Sequence, residues 1–228
     1  MLEQIINTDT ALTLLINGSH SLWLDGFAMA VTSTITWIPA ALILLYVIIR
    51  HGDTRDIILT VLAVGLCVLI ADQIASGLFK PLVGRWRPTN DPILMLSVDV
   101  VNGYRGGRFG FFSSHAANTF AIATFLALLI RHRLLSIVMF TWAMLNGWSR
   151  IYLGVHYLGD VLVGTLCGIL VGTFVYWLYG HLCSKRERVV PSFDVQTASG
   201  FAILDARLLA GSLLVLFTFC SFAGLWFN

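Results

Sequence analysis

Long apolar runs separated by short polar intervals make up most of this chain. About 20 apolar residues cross a bilayer as a helix, and runs of that kind fall at 28–49, 57–79, 113–130, 134–148, 157–182 and 201–227. The third and fourth are short, and only Arg131-His132-Arg133 parts them. That spacing predicts a tight helical hairpin whose polar ends lengthen each span by a turn. Residues 1–25 hold acids but no Lys or Arg, with apolar positions interleaved. They predict an amphipathic helix at the membrane surface, followed by a turn at Asn17-Gly18-Ser19. A cleaved signal peptide starts with a basic stretch, which this segment lacks. The interval 184–200 carries Lys185, Arg186, Arg188 and Pro191 and reads as an exposed linker. The pattern predicts an all-α, polytopic membrane helical bundle, with about six transmembrane helices, an N-terminal interfacial helix and one domain over 1–228.

Composition agrees. Of 228 residues, 57% are hydrophobic and 11% charged, against about 25% charged in soluble domains; the mean hydropathy is +0.84. A net charge of +2, thinly scattered, gives no footing for nucleic acid. Cys67, Cys167, Cys183 and Cys220 lie far apart in or beside apolar runs. They read as small hydrophobes rather than as a disulfide or metal framework, and no metal or cofactor is expected.

With six spans the loops fall on two sides. Arg50, Arg55, Arg131, Arg133, Lys185, Arg186 and Arg188 share one, and Lys80, Arg85, Arg87, Arg105, Arg108 and Arg150 the other. Lys80, Arg87 and Arg150 have a chemical use, given below. Setting them aside leaves seven cations against three, which places the first set in the cytoplasm and the second on the outer face.

Three polar stretches stand at the edges of the apolar runs. In the first, Lys80 closes the second run, and Pro81 is expected to stop the helix there. Arg87 precedes Pro88, which holds it extended, so two cations can converge on one oxyanion. In the second, Ser113 and Ser114 are good helix N-caps, and a helix N-terminus attracts anions. His115 in its first turn can donate a proton to a leaving oxygen. In the third, Arg150 is followed by His156 and by Asp160, four residues apart and expected on one helical face. A carboxylate there can fix one ring nitrogen and leave the other free to attack. Taken singly, each stretch also fits a structural part: snorkelling cations beside Trp86, a helix cap, a His–Asp pair.

Taken together they resemble the type 2 phosphatidic acid phosphatase (PAP2) superfamily. Its pattern is Lys-x6-Arg-Pro, then Pro-Ser-Gly-His, then Ser-Arg-x5-His-x3-Asp. This chain gives Lys80-x6-Arg87-Pro88, then Phe112-Ser113-Ser114-His115, then Ser149-Arg150-x5-His156-x3-Asp160. Only Phe112 and Ser114 depart from it. The resemblance spans 80–160 and the helices around it. It implies a metal-independent membrane lipid phosphatase with His156 as nucleophile, Asp160 orienting it and His115 as the acid. Lys80, Arg87, Ser113, Ser114 and Arg150 would hold the phosphoryl group. The implied partners are a lipid phosphate and the bilayer. The substrate expectation is undecaprenyl diphosphate, with lipid A phosphate, phosphatidylglycerol phosphate and phosphatidate as alternatives. A vanadate haloperoxidase shares the residue set but resembles larger soluble chains, and an inactive scaffold would lack one of these residues. Asp72 is a candidate for positioning Lys80. The loop 89–112, with Tyr104, Arg105 and Arg108, is a candidate cover for the site, and Trp23, Trp37, Trp86, Trp148 and Trp226 are candidate interface markers.

Overall fold

A computed structural model describes residues 1–19, 21–183 and 195–226. Eight helices account for nearly all of its regular structure. They are α1 (Leu2–Ile16), α2 (Leu22–Thr32), α3 (Ile38–His51), α4 (Thr54–Val83), α5 (Ser114–Ile130), α6 (Arg133–Tyr152), α7 (Leu158–Leu182) and α8 (Ile203–Trp226). Among the described residues, four segments are long and apolar enough to cross a membrane: Thr34–His51, Thr54–Val83, Leu158–Leu182 and Ile203–Leu225.

The expected third and fourth spans are α5 and α6, and they form the expected hairpin. Arg131 takes a left-handed turn (φ 54°), and the His132 ring accepts the Leu135 N–H to start α6. At 17 residues, α5 is about 26 Å long. It is buried on every face, from Ala116, Ala117 and Phe120 to Phe125, Leu129 and Ile130, and packs against α4, α6 and α7. A helix apolar all round belongs in a core. α5 is the axis of the bundle.

Close packing on that axis comes from small residues of α7. A Cβ on Gly164 would stand 2.5 Å from the Ser113 carbonyl oxygen, and one on Gly172 2.5 Å from that of Ala121. Between them a Cβ on Gly168 would run into the Ala117 carbonyl. Spaced by four, these glycines let the two backbones touch, as small residues do between membrane helices.

Two expectations about boundaries and one about an interface marker change. The apolar run 28–49 is two elements: Ser33, extended at ψ 123°, ends α2, and a 3-10 turn over Thr34–Trp37 leads into α3. Pro81 does not stop α4, which continues to Val83 and ends at Gly84 in the left-handed region (φ 61°). A π-helical stretch over Gln73–Phe79 precedes it; the wider turn makes room for the ring that an α-helix would clash with. Trp37 is a core residue, 8% exposed, packed edge-on to Trp142 and Phe217 and donating to the Val31 carbonyl. Lys185, Arg186, Arg188 and Pro191 lie outside the described residues.

From α3 to α8 the helices run alternately up and down. The end of α4, the start of α5, the end of α6 and the start of α7 therefore meet at one end of the bundle. At the other end, Arg50 and His51 pair with Asp205, at 3.2 and 2.7 Å.

Candidate active site

All three motifs meet at that first end. Ser113 caps α5 by accepting the Ala116 N–H, and its own N–H is held by the Asp160 carbonyl at 3.0 Å. The cap fixes where α5 begins, and so points its free N–H groups at the space beside the helix start. Lys80 reaches the same helix start, donating to Ser114 Oγ at 2.7 Å and to Ser76 Oγ at 2.9 Å. Ser76 in turn donates to Asp72 at 3.1 Å. Asp72 thus acts on Lys80 through Ser76, one turn away on the π-helical stretch. Ser114, standing where the family pattern has glycine, supplies the nearer tether.

Arg87 is extended ahead of Pro88 (φ −73°, ψ 151°) as its sequence predicts. Its Nε donates to the Phe109 carbonyl and its Nη1 to that of Val155. Gly106 is required here: its φ is +66°, and a Cβ would stand 2.8 Å from Arg87 Nη1. Arg150, 2% exposed, donates to Thr32 Oγ1 at 2.6 Å and through both Nη atoms to the Tyr104 hydroxyl at 3.1 Å. Its Nε is buried without a partner. Among the described residues, none of Lys80, Arg87 and Arg150 has a carboxylate within salt-bridge distance. Arg87 and Arg150 are buried and Lys80 is half-buried; cations so placed and held only by neutral groups are costly, and they call for an anion.

His156 sits among these three cations and is fully buried. Burial first, then Arg87, Arg150 and Lys80, hold its imidazole well below the usual range; an interaction with the Gly110 backbone opposes them. That environment favours the neutral form of the ring, which has a lone pair to offer. His156 and Asp160 do not share a helical face as expected, because α7 begins at Leu158. Asp160, in its first turn, reaches back instead. Its Oδ2 accepts from the Tyr157 N–H at 3.1 Å and lies 3.4 Å from His156 Nδ1. That leaves Nε2 as the free ring nitrogen. His115, in the first turn of α5, is within electrostatic reach of Arg150, His156, Arg87 and Lys80.

Four partners were not evident from the sequence. Arg85, counted there as a loop charge, donates to Asp160 Oδ1 at 3.2 Å and pairs with Asp9 at 2.7 Å. Its guanidinium lies 3.6 Å from the centre of the Tyr157 ring. Asp9 also accepts the Gly159 N–H at 2.7 Å, and Thr13 the Leu158 N–H at 2.9 Å. α1 thus caps α7 from outside; the i, i+4 spacing of Asp9 and Thr13 was the available signal. Thr32 holds Arg150 from the end of α2.

The loop 89–112 is folded down on the motifs. Thr89 N–H donates to the Gly154 carbonyl, Arg105 to that of Thr89, and Arg108 lies 4.3 Å over the Trp86 ring. Among the described residues no cluster of three or more His, Cys, Asp or Glu side chains could hold a metal ion.

An oriented imidazole whose charged form is disfavoured, beside buried Arg87 and Arg150 and half-buried Lys80, can attack phosphorus, while the cations and the α5 N-terminus take up charge on the equatorial oxygens. Comparison with known proteins points the same way. The sequence profile of the PAP2 superfamily matches residues 56–182. A lipid A 4'-phosphatase of Bacteroides thetaiotaomicron is 40% identical over 193 residues, 84% of this chain and 85% of that protein. One from Porphyromonas gingivalis is 35% identical over 184 residues, 81% of this chain and 78% of that protein. Among solved structures, a transmembrane PAP2-type phosphatidylglycerolphosphate phosphatase from Bacillus subtilis aligns with a TM-score of 0.61 at 23% identity, covering 80% of this chain and 90% of that one. On the fold, the three motifs and these relatives, the chain belongs to the PAP2 superfamily and is a multi-pass membrane lipid phosphatase.

Proposed function

We propose that this protein removes a phosphate from lipid A or a closely related phosphorylated glycolipid, at the outer face of the cytoplasmic membrane and without a metal ion. One observation carries the chemistry: Lys80, Arg87 and Arg150, none with a carboxylate partner among the described residues, act on a buried His156 imidazole that burial and these cations hold well below the usual range. The substrate rests on the two relatives named lipid A 4'-phosphatase, each alignable over about four-fifths of this chain. They favour the lipid A alternative over undecaprenyl diphosphate.

In this reading His156 Nε2 attacks phosphorus and the bond to the sugar oxygen breaks. His115 gives that oxygen its proton, so the lipid leaves as an alcohol. Asp160 stabilises the imidazolium side of the phosphohistidine. A water molecule then attacks the same phosphorus, His115 takes its proton, and His156 is released with inorganic phosphate. Lys80, Arg87 and Arg150, with the Ser113 hydroxyl and the Ser114 N–H, hold the three equatorial oxygens throughout. Three fixed cations do the charge neutralisation that magnesium performs in other phosphoryl-transfer enzymes.

The test is phosphate release by purified protein in EDTA from lipid A, undecaprenyl diphosphate and phosphatidylglycerol phosphate. Lipid A should be turned over with kcat/KM at least tenfold above the others. A preference for the diphosphate carrier, or activity that needs added magnesium, overturns the proposal.

A further inference from the structure

A cavity of about 450 Å³ opens beside His115 and continues between α3, α4, α5, α6 and α8. Its wall is largely apolar, with Leu44, Val64, Val68, Ile122, Leu126 and Leu213 among the lining residues. Thr32, whose hydroxyl holds Arg150, lines it as well. The space therefore reaches His115 and Thr32, beside the phosphate site, at one end and is lined by helices elsewhere.

Two buried polar atoms in this apolar wall have no partner among the described residues. Trp142 Nε1 is a buried donor on a side chain 9% exposed, and Asn118 Oδ1 is a buried acceptor. The Trp142 ring is fixed edge-on against Trp37, with centroids 5.9 Å apart. Asn146, also on the wall, is already satisfied by the Trp142 carbonyl. Buried polar atoms are normally paired, and leaving them unpaired is unfavourable. Saturated chain alone would leave both atoms unsatisfied. Water would satisfy them, but the mostly apolar wall suits hydrocarbon better than a water cluster.

We infer that this cavity takes an acyl chain of the substrate, and that Trp142 Nε1 and Asn118 Oδ1 select a chain carrying a hydroxyl or an amide near its head. Either group both accepts and donates, matching one free donor and one free acceptor. The inference rests on the lipid phosphatase reading above and adds what distinguishes one lipid phosphate from another. The phosphate is held by the cations, and the chain is read by the indole and the carboxamide.

The experiment compares two synthetic lipid phosphates with the same phosphorylated sugar: one with amide-linked, hydroxylated chains, the other with plain ester-linked chains. The wild-type protein should favour the first by about tenfold in kcat/KM, the usual worth of a buried hydrogen bond. Trp142→Phe and Asn118→Leu should each bring the two lipids to within about threefold, through KM on the first lipid. The ratio is taken within one protein sample, so a variant that folds poorly lowers both rates and leaves the ratio readable. Ala41→Phe, which fills the cavity from α3, should raise KM for both lipids. Equal use of the two lipids by the wild type, or an unchanged ratio in both variants, overturns the inference and leaves the phosphatase reading standing. A wild-type protein that cleaves neither lipid, while releasing phosphate from p-nitrophenyl phosphate, defeats the glycolipid phosphatase reading itself.

Discussion

At the scale of single residues, the state of His156 decides whether the site works. An imidazole in water titrates near 6.5. This one is buried among Arg87, Arg150 and Lys80 and held well below that. The 15N shifts of its ring should therefore report a neutral tautomer, protonated on the nitrogen facing Asp160, as pH falls through 6.5. Midpoint behaviour near 6.5 would mean that the ring is solvated and the cations are not around it. The linkage has a definite sign. Below about 6.5 the unfolded chain binds a proton that the folded protein refuses, so this residue makes the fold less stable as pH falls. His156→Ala removes that loss, and it should also abolish turnover and labelling by a 32P substrate. The motif residues themselves were legible because their spacing is local: Arg87 against Pro88, Ser113 at a helix start, His156 four before Asp160. Arg85, Asp9 and Thr32 were not. They meet their partners across 75, 76 and 118 residues of chain, and only a tertiary fold brings such residues together.

At the scale of elements, two contacts hold the start of α7 in place. The first is its glycine stripe. A side chain at Gly168 meets the Ala117 carbonyl and the Phe120 Cβ, whereas one at Gly180 meets nothing within 4 Å. Overpacking a close contact costs about 1–3 kcal/mol. Gly168→Val should therefore lower the melting temperature in detergent by several degrees, and reduce activity by shifting α5 against α7. Gly180→Ala should do neither. Equal melting of the two variants would show that the helices are not in backbone contact. The second contact is α1. Asp9→Ala removes an acceptor from the Gly159 N–H and one of Arg85's two carboxylate partners. A lost cap costs about 1 kcal/mol, and the freed Arg85 is left with Asp160 alone. The expected result is a fall of about tenfold in kcat with little change in KM, because among the described residues α1 makes no hydrogen bond or ion pair to Lys80, Arg87 or Arg150, the cations proposed to hold phosphate. A rise in KM alone would place α1 in substrate binding instead. The apolar period located most helices but hid the break at Ser33. Thr32-Ser33-Thr34 sits inside an apolar run with no strong breaker. Ser33 as an N-cap and Pro39 in the first turn of α3 were the only local marks.

At the scale of the whole molecule, the arrangement has two chemically different ends. One gathers Lys80, Arg87, Arg150 and the loop 89–112. The other carries Arg50, Arg55, Arg131 and Arg133, with Asp205 engaging Arg50 and His51. Orientation from sequence turned on setting aside the motif cations Lys80, Arg87 and Arg150, which are proposed to hold phosphate. Arg85 now joins them, since Asp9 and Asp160 account for its charge. Among the described residues, Arg105 and Arg108 then remain at the site end as cations that neither a carboxylate nor the proposed phosphate accounts for, and the positive-inside rule favours a cytoplasmic Arg131–Arg133 turn more firmly. Three of the expected cytoplasmic cations, Lys185, Arg186 and Arg188, lie outside the described residues, so topology needs its own measurement. Ser97 is exposed in the loop over the site, and Ala198 is exposed at the opposite end. In a chain whose four native cysteines are replaced by serine, Ser97→Cys should react with a membrane-impermeant thiol reagent in spheroplasts, and Ala198→Cys only after lysis. A site facing outward, as proposed, would meet a phosphate only after its lipid had reached the outer leaflet. Labelling of Ala198→Cys in intact spheroplasts, with Ser97→Cys protected, would put His156 on the cytoplasmic side and require a substrate of the inner leaflet.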